Sequence, residues 1–282
     1  MSVPLSVALP AGVERTTLGE LAALRAAPRG MATRGRGLLI PGYTGSKEDF
    51  LHLLPLLAGC GWDVAAVDQR GQWESPMPDD PSLYSVNALA DAVLDAMRAL
   101  GTPLHLVGHS FGGIVARDAV IREPETAASL TLLGSGPGAL GGPRAQVLGY
   151  LRPVLEQGGI EAVWQASESV AAADPRRRDV EPEVKDFLRA RFLAQQPGPL
   201  TAMADAMLAE PDRVDELKAA YAGPLLVAHG AADDAWSPEE QRAMAQRLGA
   251  GYFVIEGSVH SPAAENPDHT AGLLDRFWST QL

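Results

Sequence analysis

The chain has 282 residues, 46% hydrophobic and 21% charged, ordinary values for one large globular domain or one domain with an insert. A net charge of −12 excludes the basic footprint of a nucleic-acid binder and argues against a surface held to anionic lipid. The single cysteine, Cys60, excludes an internal disulfide and a cysteine metal cluster, and reads as a buried structural residue. Met1-Ser-Val-Pro-Leu-Ser6 has neither a basic region nor a long apolar core, and no uncharged run is apolar enough for a membrane helix. A cytoplasmic protein is the expectation.

Glu20–Ala26 reads as a strand, and the Gly/Arg-rich stretch from Gly30 to Gly37 as a turn. A short apolar strand, 37–41, runs into Pro41-Gly42 and a small loop. Ser46 with Asp49 three residues on resembles a capping box, so a helix should begin near Lys47. Phe50, Leu53, Leu54 and Leu57 would share its buried face, with Pro55 forcing a kink or a late start. Trp62–Arg70 is the next strand, followed by a loop from Gly71 to Pro76. Leu83, Val86, Ala90, Val93, Met97 and Leu100 recur at helical spacing, and Gly101 stops that helix.

Leu104–His109 is an apolar strand, the segment after Ser110 is a helix, and Ser129–Leu133 is another buried strand. The alternation resumes late, with a strand at Pro224–Gly230, a helix at Pro238–Leu248, a strand at Gly251–Gly257 and a final helix at Glu265–Trp278. Apolar strands separated by helices predict a mostly parallel sheet covered on both faces. Residues 136–222 contain helical faces and no convincing strand. Their length predicts a helical lid inserted into a core formed by residues 1–135 and 223–282. Gly136-Pro-Gly-Ala-Leu-Gly141 fits a nucleotide-binding glycine pattern, but no second strand completes the unit, so it reads as the hinge into the lid.

The centre of the chain is Gly108-His109-Ser110-Phe111-Gly112, a G-x-S-x-G pattern between a strand and a helix. Such a turn lifts a serine hydroxyl clear of the sheet at a helix start, where free N–H groups favour a developing anion. In an open parallel sheet, sites gather where strands end. Asp233-Asp234 follows the strand ending near Gly230, and His260 follows the last strand. Nucleophile, acid and base thus occur in the order Ser, Asp, His. The serine needs the histidine as general base, and the histidine needs an acid to fix its tautomer. The residues alone leave Asp233 and Asp234 both open. One oxyanion donor should be the N–H of Phe111; the other should come from the loop after the 37–41 strand, first the N–H of Tyr43 and next that of Thr44. His105, His229, His52 and His269 have plain structural readings, and His109 should pack or hydrogen-bond beneath the elbow. The histidine spacing contains no metal site.

With these residues in place, the chain resembles the α/β-hydrolase superfamily from about Gly37 onward, in particular its lidded serine hydrolases. The marks are Pro41-Gly42-Tyr43 at the oxyanion loop, Asp68-Gln-Arg-Gly71, the Ser110 elbow, Gly230-Ala-Ala-Asp233, and Val259-His260-Ser-Pro-Ala-Ala-Glu265-Asn-Pro267. The resemblance implies Asp233 as the acid. Pro41, Trp73 and Val259 depart from the usual residues and should shape the pocket. A serine nucleophile argues against the haloalkane dehalogenases and epoxide hydrolases of this fold, which use aspartate. The expected function is cleavage of a small carboxylic ester or related acyl substrate through an acyl-enzyme, with no cofactor required. C–C hydrolysis, lyase or perhydrolase chemistry on the same scaffold is the alternative, and a small-molecule receptor a further one. The expected partner is a small molecule, with oligomeric state left open. Trp164, Phe187, Phe192, Met203 and Met207 are candidate apolar linings beside Trp73.

Overall fold

Residues that read as uninterrupted apolar runs form the middle of the sheet. The computed structural model describes residues 2–171 and 180–280. Its eight strands are β1 (Val13–Leu18), β2 (Leu21–Ala26), β3 (Gly35–Ile40), β4 (Trp62–Val67), β5 (Leu104–His109), β6 (Ala127–Leu133), β7 (Leu225–Gly230) and β8 (Gly251–Ile255). Their order is β1-β2-β4-β3-β5-β6-β7-β8; β2 pairs antiparallel with both β1 and β4, and every other pairing is parallel. Every residue of β4 and β5 is buried. Successive side chains face opposite layers: Leu38 and Ile40 join one core cluster while Leu39 joins the other.

Helices cover both faces. On one lie α2 (Val86–Leu100), α3 (Phe111–Arg122) and, toward the β8 edge, α9 (Pro238–Leu248). On the other lie α1 (Leu53–Gly59) and α11 (Pro267–Ser279), with the short α10 (Pro262–Glu265) leading into α11. Between β6 and β7 come α4 (Gly142–Gly149), α5 (Leu151–Ala171), α6 (Pro182–Leu193), α7 (Pro197–Ala209) and α8 (Val214–Ala220). Residues 172–179 of the expected insert lie outside the described residues. Leu155, Val163, Trp164, Val184, Leu188, Phe192 and Leu200 pack into a small core of their own, joined by Val3, Val7 and Tyr43. Met203, Met207 and Leu217 belong instead to the main core. Among the described residues no helix is long and apolar enough to cross a membrane.

The structure corrects one local expectation. Ser46 caps no helix; Lys47–Phe50 is a single 3₁₀ turn, and α1 starts only at Leu53, with Pro55 in its first turn where no N–H is needed. Ser46 and Asp49 serve a distant partner: Arg191 of α6 donates to Ser46 Oγ at 2.9 Å and to Asp49 Oδ1 at 2.7 Å. A guanidinium with 0% exposure needs acceptors, and these two supply them. The sequence pattern does not mark β1 as a strand: only Val13 and Leu18 of its six residues are buried, as suits an edge strand.

The turn after β4 is tied to the 3₁₀ turn by Lys47, whose side chain is 1% exposed. Its ammonium lies 2.7 Å from Asp68 Oδ2, 2.7 Å from Glu74 Oε2 and 3.1 Å from Glu48 Oε1. Burial works against the Lys47 charge, but Asp68, Glu48 and Glu74 outweigh it and hold its pKa above the ordinary lysine value. Removing the ammonium alone strands buried carboxylates. Lys47→Met should therefore lose about 3–5 kcal/mol in urea unfolding. A loss under about 1 kcal/mol would mean that this cluster does not hold the two loops.

Candidate active site

Ser110 sits at the step from β5 to α3 with φ 55° and ψ −122°, a conformation that L side chains rarely adopt. Its N–H donates to Leu133 O at 2.9 Å, and its C=O accepts from Gly113 N at 2.9 Å. A Cβ on Gly108 would strike Gly112 and Gly113, and one on Gly112 would strike the carbonyls of Ile40 and Pro41. A Cβ on Gly42 would lie 2.9 Å from Ser110 Cβ and 3.3 Å from Ser110 Oγ. The loop after β3 is therefore pressed against the serine, and glycine is what permits it.

Two further strand ends bring polar side chains to Ser110. His260, in the loop after β8, places Nε2 3.0 Å from Ser110 Oγ and Nδ1 2.9 Å from Asp233 Oδ1. Asp233 follows β7; it also accepts from Ala235 N and from Gln241 Nε2, each at 3.0 Å. Burial pushes the Asp233 carboxyl up, but the hydrogen bond and charge of His260, with the Ala235 and Gln241 donors, outweigh this and hold it below the ordinary aspartate value. The neighbouring Asp234 points elsewhere and pairs with Arg144 at 2.5 Å on the exposed face. The loop carrying His260 is held by Val259 N–H donating to Glu265 Oε2 and by Gly230, where a Cβ would meet Ser258 and Val259.

Neither the Phe111 nor the Tyr43 N–H has a hydrogen-bond acceptor among the described residues. Phe111 opens α3, so its N–H has no partner within the helix. The Tyr43 hydroxyl donates to Leu200 O at 2.9 Å, which ties this loop to α7. Of the candidate linings, Trp73 is half-buried, and its ring meets the edge of Phe187 on α6 at 5.8 Å. Trp164 packs on Phe192 at 5.6 Å within the small insert core, while Met203 and Met207 lie in the main core. Among the described residues no group of three His, Cys, Asp or Glu could hold a metal ion.

Sequence reasoning missed Gln241, Gln69 and Gln72. Gln241 is fully buried and donates to both Asp233 Oδ2 and Trp236 O. Gln69 Nε2 donates to Pro41 O at 2.9 Å, and Gln72 Nε2 to Gly42 O at 2.8 Å. A glutamine in a loop or on a helix surface reads as solvated, and nothing in the sequence marks these as buried. His109, beneath the elbow, donates from Nε2 to His260 O at 2.7 Å. Burial pushes its pKa down to about 3, with the nearby His260 adding to the shift, so the ring is neutral and carries its proton on Nε2.

This geometry belongs to a known frame. The model of the alpha/beta hydrolase family matches residues 38–272. The chain belongs to that family. Epoxide hydrolase B from Mycobacterium tuberculosis is 28% identical over 204 residues, 69% of this chain and 57% of that protein. The pimeloyl-[acyl-carrier protein] methyl ester esterase of Neisseria meningitidis is 34% identical over 97 residues, 34% of this chain and 35% of that protein. The matched stretches thus span under two thirds of these relatives. A thermophilic esterase from Thermogutta terrifontis superposes with a TM-score of 0.75 at 23% identity, covering 95% of this chain and 99% of that one. The shared fold of this alpha/beta hydrolase is therefore that of enzymes with differing substrates.

The neutral His109 has a consequence for stability. Its folded pKa of about 3 lies below the ordinary value of about 6.5, so the unfolded chain binds the proton more readily. The stability it supports is complete above that ordinary value and is lost as pH falls toward the folded one. His109→Gln keeps an N–H within reach of His260 O but does not titrate. Urea unfolding from pH 7 to pH 4 should show a shallower loss in the variant, by up to about 1.4 kcal/mol per pH unit. Superimposable pH profiles would show that His109 is not buried neutral.

Proposed function

We propose that this alpha/beta hydrolase cleaves a small carboxylic ester or related acyl compound through an acyl-enzyme on Ser110. The observation that carries the proposal is the continuous line Ser110 Oγ, His260, Asp233, with 3.0 and 2.9 Å between successive partners. His260 Nε2 takes the hydroxyl proton as Ser110 Oγ attacks the carbonyl carbon. Asp233, ionised, accepts from Nδ1–H, which fixes the tautomer and stabilises the imidazolium. The tetrahedral oxyanion is received by the free N–H groups of Phe111 and Tyr43. Collapse expels the alcohol, which takes the proton from His260 and leaves the acyl group on Ser110. Water then repeats the sequence, giving up its proton to His260 and releasing the acid.

Two further features support this reading. By the family resemblance Ser110 stands where epoxide hydrolases of this fold carry an aspartate, so the proposal takes the frame and not the reaction from the likeness to epoxide hydrolase B. The relative named as a methyl ester esterase lends the ester reading support from sequence. We assign residues 136–222 as a lid in part: α5 and α6 hold their own small core, which Tyr43 joins, and Phe187 of α6 packs on Trp73, whereas α8 packs against α3 and α9. An apolar acyl pocket beside these helices is part of the proposal.

Hydrolysis of p-nitrophenyl esters from acetate to decanoate tests the proposal. Ser110→Ala should lose about 10⁴–10⁶ in kcat with the circular dichroism spectrum unchanged. Asp233→Asn should lose about 10⁴-fold through the wrong His260 tautomer. Asp234→Asn, which breaks only an exposed pair, should stay within about twofold of wild type. Esters longer than acetate should turn over faster. Equal activity of wild type and Ser110→Ala would sink the Ser110 assignment.

A further inference from the structure

We infer that Gln72 is a positioning residue for oxyanion stabilisation: its side-chain amide fixes the direction in which the Tyr43 N–H points. The inference rests on the acyl-transfer reading above. The geometry begins with the peptide between Gly42 and Tyr43. A trans peptide is planar, with its C=O and N–H on opposite sides. Whatever holds Gly42 O therefore also aims Tyr43 N–H. Gly42 O accepts two hydrogen bonds, from Gln72 Nε2 at 2.8 Å and from Gly45 N at 3.0 Å. The N–H at the other end of the same peptide has no acceptor among the described residues. Gly42 itself is pressed against Ser110, so the peptide lies beside the attacking oxygen.

Gln72 is itself locked. Its Oε1 accepts from Gln69 N at 3.1 Å, so the amide cannot flip without losing both bonds. Gln72 is 1% exposed, and water is no ready substitute for it. Gln69 holds the preceding carbonyl, Pro41 O, from the same turn. That turn is in turn held by Asp68, which accepts from Lys47 N and Lys47 Nζ at 2.7 Å each. The chain of bonds runs from the buried ammonium through the turn after β4 to the peptide beside Ser110. Donors bound to the carbonyl also polarise the peptide and strengthen its N–H as a donor. A donor mis-aimed by a fraction of an ångström matters, because the oxyanion exists only in the transition state.

Two variants separate aim from packing. Gln72→Met keeps the length and gives up both hydrogen bonds. Gln72→Glu keeps the acceptor toward Gln69 and gives up the donor toward Gly42. Steady-state ester hydrolysis, inhibition by phenylboronic acid and urea midpoints should be measured for both, with Ser110 labelling by a fluorophosphonate followed by mass spectrometry. The expected result is a kcat lower by about 10- to 100-fold, with KM within about threefold. The boronate inhibition constant should rise with the loss in kcat, since that adduct is tetrahedral and the ground state is not. Folded variants that label at Ser110 with unchanged kcat would overturn the inference. So would a kcat loss with no change in boronate affinity. Absence of Ser110 labelling in the wild type would instead refute the acyl-transfer reading, and this inference with it. Should Gln72→Met fail to fold, Gln72→Glu decides alone.

Discussion

The backbone of Ser110 is the constraint on which the surrounding structure depends. A non-glycine residue at φ 55° and ψ −122° costs about 1–3 kcal/mol and persists only where its neighbours over-determine it. The neighbours here are several and rigid. β5 is buried at every position, which fixes the chain before the turn. The Leu133 carbonyl takes the Ser110 N–H, and α3 begins at the next residue, which fixes the chain after it. The turn leaves no space for side chains at residues 42, 108, 112 and 113, and all four are glycine. The strain is thus borne by the sheet rather than by the loop, and the hydroxyl is held at a definite place before any substrate arrives.

Around that point the molecule spends buried polar groups where apolar ones would pack more simply. Gln69, Gln72, Gln241 and His109 each donate to a loop at the site, Gln241 to two acceptors of the same loop. These loops carry Tyr43, Asp233 and His260, the three residues whose positions the proposed chemistry depends on. Loops have few backbone ladders of their own, so direction must come from side chains. Neutral amides and a neutral imidazole serve this at lower desolvation cost than charges would. The charged pairs stand one layer further out: Lys47 with Asp68 under the turn after β4, and Arg191 with Asp49 between α6 and the 3₁₀ turn. Arg191 also donates to Ser2 O, and Ser2 Oγ hydrogen-bonds Ser261 Oγ beside His260. The insert helices and the His260 loop thus share one buried network through the start of the chain.

Much of this architecture was legible in the residues. Continuous apolar runs marked β3, β4, β5, β6 and β7, and Gly101 and Pro238 marked helix ends, because burial on both faces and backbone constraint leave direct traces in composition. The strand–turn–helix context of Ser110 was legible for the same reason. What was not legible depended on partners far away in the sequence. Ser46 and Asp49 have local capping spacing, yet their partner Arg191 lies 145 and 142 residues on. Spacing alone leaves Asp233 and Asp234 open and only the family resemblance favours Asp233; the path of the turn after β7 sends Asp233 toward His260 and Asp234 toward Arg144. β1, Val-Glu-Arg-Thr-Thr-Leu, carries four polar residues between two buried apolar ones and shows no alternation; its pairing with β2 is what makes it a strand.

The relatives show why a frame of this kind separates fold from chemistry. An epoxide hydrolase and a methyl ester esterase both match the chain in sequence, and an esterase superposes over nearly all of it. The sheet asks only that something project from the elbow, that a base reach it from the loop after β8, and that donors face it from the loop after β3. An aspartate at the elbow attacks with an oxygen already ionised. A serine must first lose its proton, which places more weight on the base and on the group that orients it. Under the proposed acyl-transfer reading that weight would fall on His260, held through its own carbonyl by His109, and on Asp233, held by Ala235 and Gln241. The extra hydrogen bonds beneath the site are where a serine nucleophile would need them: they hold the His260 ring and the Asp233 carboxylate in line, so that proton transfer in the proposed reaction would require no rearrangement of the loops that carry them.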